Sequence, residues 1–150
     1  MKRFQFRLDS ILRFREIEQD KALDNYARSI QFRQMVQNRC EQALSKLEDL
    51  YETMRSTRGD AFTVAQQSTL HSFSSNIIDH IQREQAALAQ ARDAENQALQ
   101  AYFETKKRVD ILIKLKDNKL RTHTHESLKQ EEKELEALIY NRNNPLNSLG

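Results

Sequence analysis

A chain of 150 residues is about one domain's worth of sequence, and two Gly, one Pro and no Trp are too few turn formers for an ordinary compact globule. Charged residues make up 31% and hydrophobic ones 38%, with good helix formers abundant, which fits long helices carrying a narrow apolar stripe and excludes a broad central core. The 24 basic and 22 acidic side chains leave a formal net charge of +2, so nothing global demands a nucleic-acid partner and any electrostatic targeting must be local.

The first expected element is a helix over about 8–57. From Leu12, one row of apolar or tolerable residues recurs every seven positions through Gln19, Tyr26, Arg33, Cys40, Leu47 and Met54. A partner row is placed four residues on: Glu16, Leu23, Ile30, Gln37, Leu44 and Tyr51. Met35 and Val36 lie off both rows where Arg33 and Gln37 interrupt them, which reads as a stutter in the repeat. Asp9 or Ser10 can cap the start. Cys40 is alone, so no intramolecular disulfide can form, and a reducing compartment fits. The opening MKRFQFRLDSILRFR has charges throughout and no export-signal pattern. No stretch approaches the roughly 20 apolar residues of a membrane span.

A bend is expected over about 58–73. Gly59 suits the left-handed position after a helix end, and Asp60 can cap a short helix around Ala61 to Ser68. Ser72, Ser74 and Ser75 are further capping candidates. Arg58-Gly59-Asp60 also spells an adhesion tripeptide, but that reading needs an exported protein, so the tripeptide reads as a turn.

A second helix is expected over about 74–142. Its rows are Ile77, Glu84, Ala91, Ala98, Thr105, Leu112 and Ile81, Leu88, Glu95, Tyr102, Val109. Alanines at 86, 87, 89, 91, 94, 98 and 101 would let a partner helix approach closely. The pattern weakens at THTHES and resumes at Leu128, Leu135, Leu138 and Ile139. Asn141 to Asn144 and Pro145 end the helix and leave a frayed tail over 143–150. The expected fold class is all-α: a long antiparallel two-helix coiled-coil hairpin with a short helical bend segment, in one domain.

Folding about a bend near residue 65 places residue i opposite roughly 130 minus i, in a rod of about 70 Å. Helix two then outruns helix one, and its last leucines lack an intramolecular partner. The same fold-over joins two basic segments. Residues 1–15 carry a net charge of +4, and residues 104–121 carry seven basic against three acidic side chains. Phe4, Phe6, Leu8, Ile11 and Phe14 add apolar contacts there. The overhang ESLKQEEKELE (126–136) carries five Glu against two Lys, so it is acidic and amphipathic.

No catalytic constellation is visible, and no enzymatic activity or cofactor is expected. His123 and His125 are two residues apart on a helix and point about 200 degrees apart, so they cannot share one metal ion. His71 and His80 have no partner at ligand spacing. The single internal Gly excludes a phosphate-cradling loop.

Three stretches carry a family resemblance: RFQFRLDSILRFREIEQDKAL (3–23), LHSFSSNIIDHIQREQAAL (70–88) and ETKKRVDILIKLKDNKL (104–120), the last followed by an acidic helix ending in NR. In order and spacing they resemble the FliJ family of flagellar export proteins over nearly the whole chain. The resemblance implies a cytosolic stalk of the hexameric flagellar export ATPase, peripheral at the cytoplasmic face of the inner membrane. Its paired termini would sit in the ring, its bend region would meet the membrane export gate protein, and export chaperones would be further partners. Carried over by position, the ATPase-facing surface is Phe6, Leu8, Ile11, Leu12 and Arg13 with Leu135, Leu138 and Arg142. The gate-facing surface is Phe73, Ile77, His80, Ile81 and Glu84. Two other readings remain: the stalk of a virulence type III secretion ATPase, and a helical-hairpin arm that binds RNA through its basic tip. A third is a scaffold coiled coil that assembles with itself.

Overall fold

The computed structural model describes residues 2–57 and 63–144. Two helices make up its regular structure: α1, Asp9–Thr57, and α2, Val64–Asn143. They pack antiparallel as an all-α hairpin. No Gly or Pro falls inside either helix, so nothing in the backbone interrupts 49 and 80 helical residues.

The helix ends are satisfied locally. At the start of α1, the Leu8 carbonyl accepts from Leu12 N–H at 2.9 Å. Asp9 stands in the first turn, where its charge suits the helix dipole, and it does not cap. Its carboxylate accepts from Lys116 Nζ at 3.2 Å and pairs with Arg13 at 3.4 Å. At the other end, Thr57 Oγ1 donates to the Thr53 carbonyl at 2.7 Å and Ser56 Oγ to the same carbonyl at 3.0 Å. Both hydroxyls return to that one carbonyl within the helix, the local bond by which Ser and Thr satisfy themselves in a last turn.

The second helix begins ten residues earlier than the expected 74. Thr63 Oγ1 accepts from Gln66 N–H, and Gln66 Oε1 accepts from Thr63 N–H, both at 3.2 Å. This is a capping box written in the sequence as Thr63-Val64-Ala65-Gln66. Ser72, Ser74 and Ser75, expected as caps, lie inside α2. Ser74 is buried and returns its hydroxyl to the His71 carbonyl at 2.8 Å, a bond that lets serine stay in a helix. Residues 63–68 are therefore the first turns of α2 and not a separate bend helix. The expectations for Gly59, Asp60 and Pro145 lie outside the described residues. Thr63→Ala should cost about 1 kcal/mol in chemical denaturation. Ser72→Ala, in mid-helix and exposed, should cost nothing measurable.

Chain contacts divide the molecule into two units, one of Met1–Gln19 with Thr105–Gly150 and one of Asp20–Glu104. Both helices contribute to each. In the first unit, paired residues 9 and 116 add to 125. In the second, 33 with 95 and 39 with 84 add to 128 and 123. The antiparallel register is thus a few residues short of the expected 130.

The row through Leu12 and Cys40 does face α2, but its companion runs three residues on, not four. Val36 is 0% exposed, Ala43 and Leu50 are buried, while Leu23, Leu44 and Tyr51 are exposed. Heptad geometry alternates steps of three and four, and the shorter step was obscured because Ala22, Ser29 and Ala43 are small or polar. Small residues let the helices approach, and the large apolar residues beside them flank the seam. Val36 is accordingly a regular member of the row, so no stutter is needed. On α2 both expected rows are buried or half-buried throughout, from Ile77 and Ile81 to Val109 and Leu112. Of the seven alanines, Ala91 is buried and Ala87 and Ala98 are half-buried. Only these three meet the seam.

Candidate functional site

Two surfaces stand out, one in each unit. In the first unit, residues 2–6 precede the helix without regular structure. This arm lies on α2: His123 Nε2 donates to the Lys2 carbonyl at 3.0 Å, and the Phe4 and His123 rings stand 5.5 Å apart in a tilted arrangement. Phe6 and Leu8 are half-buried and line a hollow of 810 Å³ with Leu115 and Thr122 of α2. Lys2, Arg3, Arg7 and Lys119 also line it, so the two basic segments do share this unit.

Beyond Ser127 the described part of α2 has no protein cover. Every residue from 128 to 144 is exposed, and Leu138 is 66% exposed. Register explains this: with pairs adding to about 125, the first residues of the chain are opposite His123, where the Lys2 carbonyl accepts its hydrogen bond, and α1 does not reach the overhang. Leu128, Leu135, Leu138 and Ile139 therefore remain in solvent, where burying them would release about 1.5–3 kcal/mol per side chain. The charged residues around them, Glu131, Glu132, Glu134 and Glu136 against Lys129 and Lys133, keep the segment solvated.

The expected ATPase-facing residues separate on burial. Ile11, Arg13, Leu135, Leu138 and Arg142 are exposed, and Phe6 and Leu8 half-exposed. Leu12 is 5% exposed and fills the seam, so it supports this surface and cannot belong to it.

The gate-facing set in the second unit divides in the same way. Ile81 is buried in the seam. Glu84 is largely covered, and its Oε2 atom has no hydrogen-bond partner. Arg39 Nε stands 3.5 Å from that oxygen, close enough for charge attraction but without hydrogen-bond alignment. Phe73 is 55% exposed and His80 is exposed, while Ile77 is half-buried between them. These three line a groove of 490 Å³ whose opposite wall is α1, through Ala43, Lys46, Asp49, Leu50 and Thr53. The α1 wall was not among the expected site residues. It was readable from register, since positions near 46–50 must face positions near 77–80.

The seam of this unit also holds polar groups. Arg33 Nε donates to Glu95 Oε2 at 2.7 Å and Nη1 to Gln37 Oε1 at 2.9 Å, so two heptad positions that interrupt the apolar rows satisfy each other across the helices. Cys40 is buried beside them on the same row.

Chemically, these surfaces offer docking. Among the described residues no three His, Cys, Asp or Glu side chains converge as metal ligands. No described helix is long and apolar enough to cross a membrane. A family model described as Flagellar FliJ protein matches residues 4–142. No curated protein and no solved structure matches the chain.

Proposed function

The chain belongs to the FliJ family of flagellar export components, and from that premise we propose that it serves as the central stalk of the hexameric export ATPase. The observation that carries the reading is the uncovered end of α2. A helix with exposed Leu128, Leu135 and Leu138 next to a basic helix pair is built to be enclosed by something else. A ring's central hole encloses such a helix on all sides.

In this reading the termini enter the ring, with Ile11, Arg13, Leu135, Leu138 and Arg142 as the contact surface. The groove at Phe73, Ile77 and His80 receives the membrane export gate protein, and export chaperones are handled on the same helix pair. The protein works in the cytoplasm, peripheral at the inner membrane, and catalyses nothing itself. The flagellar family match favours this over the virulence counterpart.

Addition of the chain to a flagellar-type ATPase should raise both the hexamer fraction and ATP turnover. The chain alone should hydrolyse no nucleotide. Unchanged turnover, with RNA binding that falls steeply as salt rises, would instead favour the RNA-binding arm.

A further inference from the structure

We infer that α2 also docks on a second copy of this chain, with the acidic overhang of one molecule lying antiparallel on the basic stretch of the other. The apolar stripe of α2 changes face along the helix. In the first unit the seam side of α2 is marked by Val109, Leu112, Lys116 and His123. Continuing those rows by sevens gives Gln130, Ala137, Lys133 and Tyr140, a mostly polar set. The overhang leucines are elsewhere. Leu128 and Leu135 fall on the row Lys107, Lys114, Arg121, Leu128, Leu135, Arg142, which is the heptad position opposite the seam. Ile111, Glu132 and Ile139 fall on the neighbouring outer row. Both rows are exposed over their whole length, and Ile111 is 66% exposed.

The overhang therefore does not continue the α1–α2 seam; its apolar stripe is turned to the outer face. The N-terminal arm leaves that face open, because it covers Leu115, Lys119, Thr122 and His123 on the other side.

Charge complementarity names the occupant. On these two rows positions 107–121 contribute Lys107, Lys114 and Arg121, and the overhang contributes Glu132, within a segment over 126–136 that carries five Glu against two Lys. A second copy reversed about a point near residue 123 lays the acidic segment of each molecule along the basic segment of the other. Leu135 then meets the partner's Ile111, and Glu132 meets the partner's Lys114, each contact occurring twice by symmetry. A parallel arrangement would set like charges together. The apolar residues on the two rows are Ile111, Leu128, Leu135 and Ile139, so the contact is a short apolar patch flanked by the charge pairs.

Leu135 also belongs to the proposed ATPase-facing surface. If that reading holds, pairing of copies and insertion into the ring exclude each other, and the paired form keeps the overhang covered until a ring is available.

Sedimentation equilibrium of the full chain, from micromolar to submillimolar concentration, tests the inference. A monomer–dimer equilibrium is expected. Leu135→Glu, Lys114→Glu and Glu132→Lys should each weaken it by about tenfold with helicity unchanged, since all three positions are exposed. The double variant Lys114→Glu with Glu132→Lys should regain association, because every charge pair is restored with its sign reversed. A monomer at all concentrations, or association indifferent to these changes, overturns the inference. If ATPase stimulation survives in that case, the stalk reading stands without it.

Discussion

Removal of residues 135–150 is expected to abolish ATPase stimulation while helicity falls only in proportion to the residues removed. The segment makes no contribution to the seam: all its described residues are exposed, and Leu135, Leu138, Ile139 and Tyr140 present their apolar surface to solvent. Deleting it leaves no cavity and unpairs no seam residue, so unfolding of the remaining helix pair should shift little. Removing residues 1–10 should also abolish stimulation, but with a different signature. That deletion takes the arm from His123 and the carboxylate of Asp9 from Lys116, so the first unit should lose some stability as well. Circular dichroism, thermal unfolding and a coupled turnover assay on the same preparations separate these effects. Trimmed chains that stimulate as well as the intact one would remove the termini from the ATPase contact.

Replacement of both Phe73 and His80 by Ala should hardly change stability yet sharply reduce binding to the export gate protein. Both side chains are exposed on the rim of the groove, so truncation costs less than about 1 kcal/mol, within the range of surface substitutions. Ile81→Ala is the contrast. That residue is 6% exposed, and shortening it in the seam should cost about 2–5 kcal/mol, as core truncations do. Ile81 follows His80 directly and lies little more than two helical turns from Phe73, so the comparison isolates burial from location. ATPase stimulation should survive the Phe73, His80 double change, because the residues proposed to contact the ring belong to the other unit. If the double variant unfolds as readily as Ile81→Ala, its side chains pack the fold and are not a docking rim.

Much of this was legible because a two-helix seam writes itself in one dimension. The rows through Leu12 and through Ile77 and Ile81 were readable from seven-residue recurrence, and the overhang followed from unequal helix lengths. The companion row on α1 was misplaced by one residue. Hydrophobic size points to Leu44 and Tyr51, whereas close helix approach selects small residues such as Ala43 for the seam itself. The start of α2 was missed for a related reason. Serines at 72, 74 and 75 are cap formers by residue type, but a cap needs a helix end, and the reciprocal Thr63–Gln66 bonds set that end upstream. The fold-back of the arm was partly hidden, because a Phe4–His123 contact spans 119 positions and leaves no periodic trace. Burial then removed Leu12 and Ile81 from the surfaces, and heptad rows drawn with the correct short step would have shown both in the seam.

The central claim is that this chain stands inside the ATPase ring, and native mass spectrometry of the assembled complex tests it most directly. A stalk occupying the central hole must bind as a single copy per hexamer, whatever excess is supplied. Chains carrying Leu138→Glu, with the fold intact, should leave the hexamer empty. A hexamer that binds one chain on each of its subunits would place the protein on the outside of the ring and contradict the account.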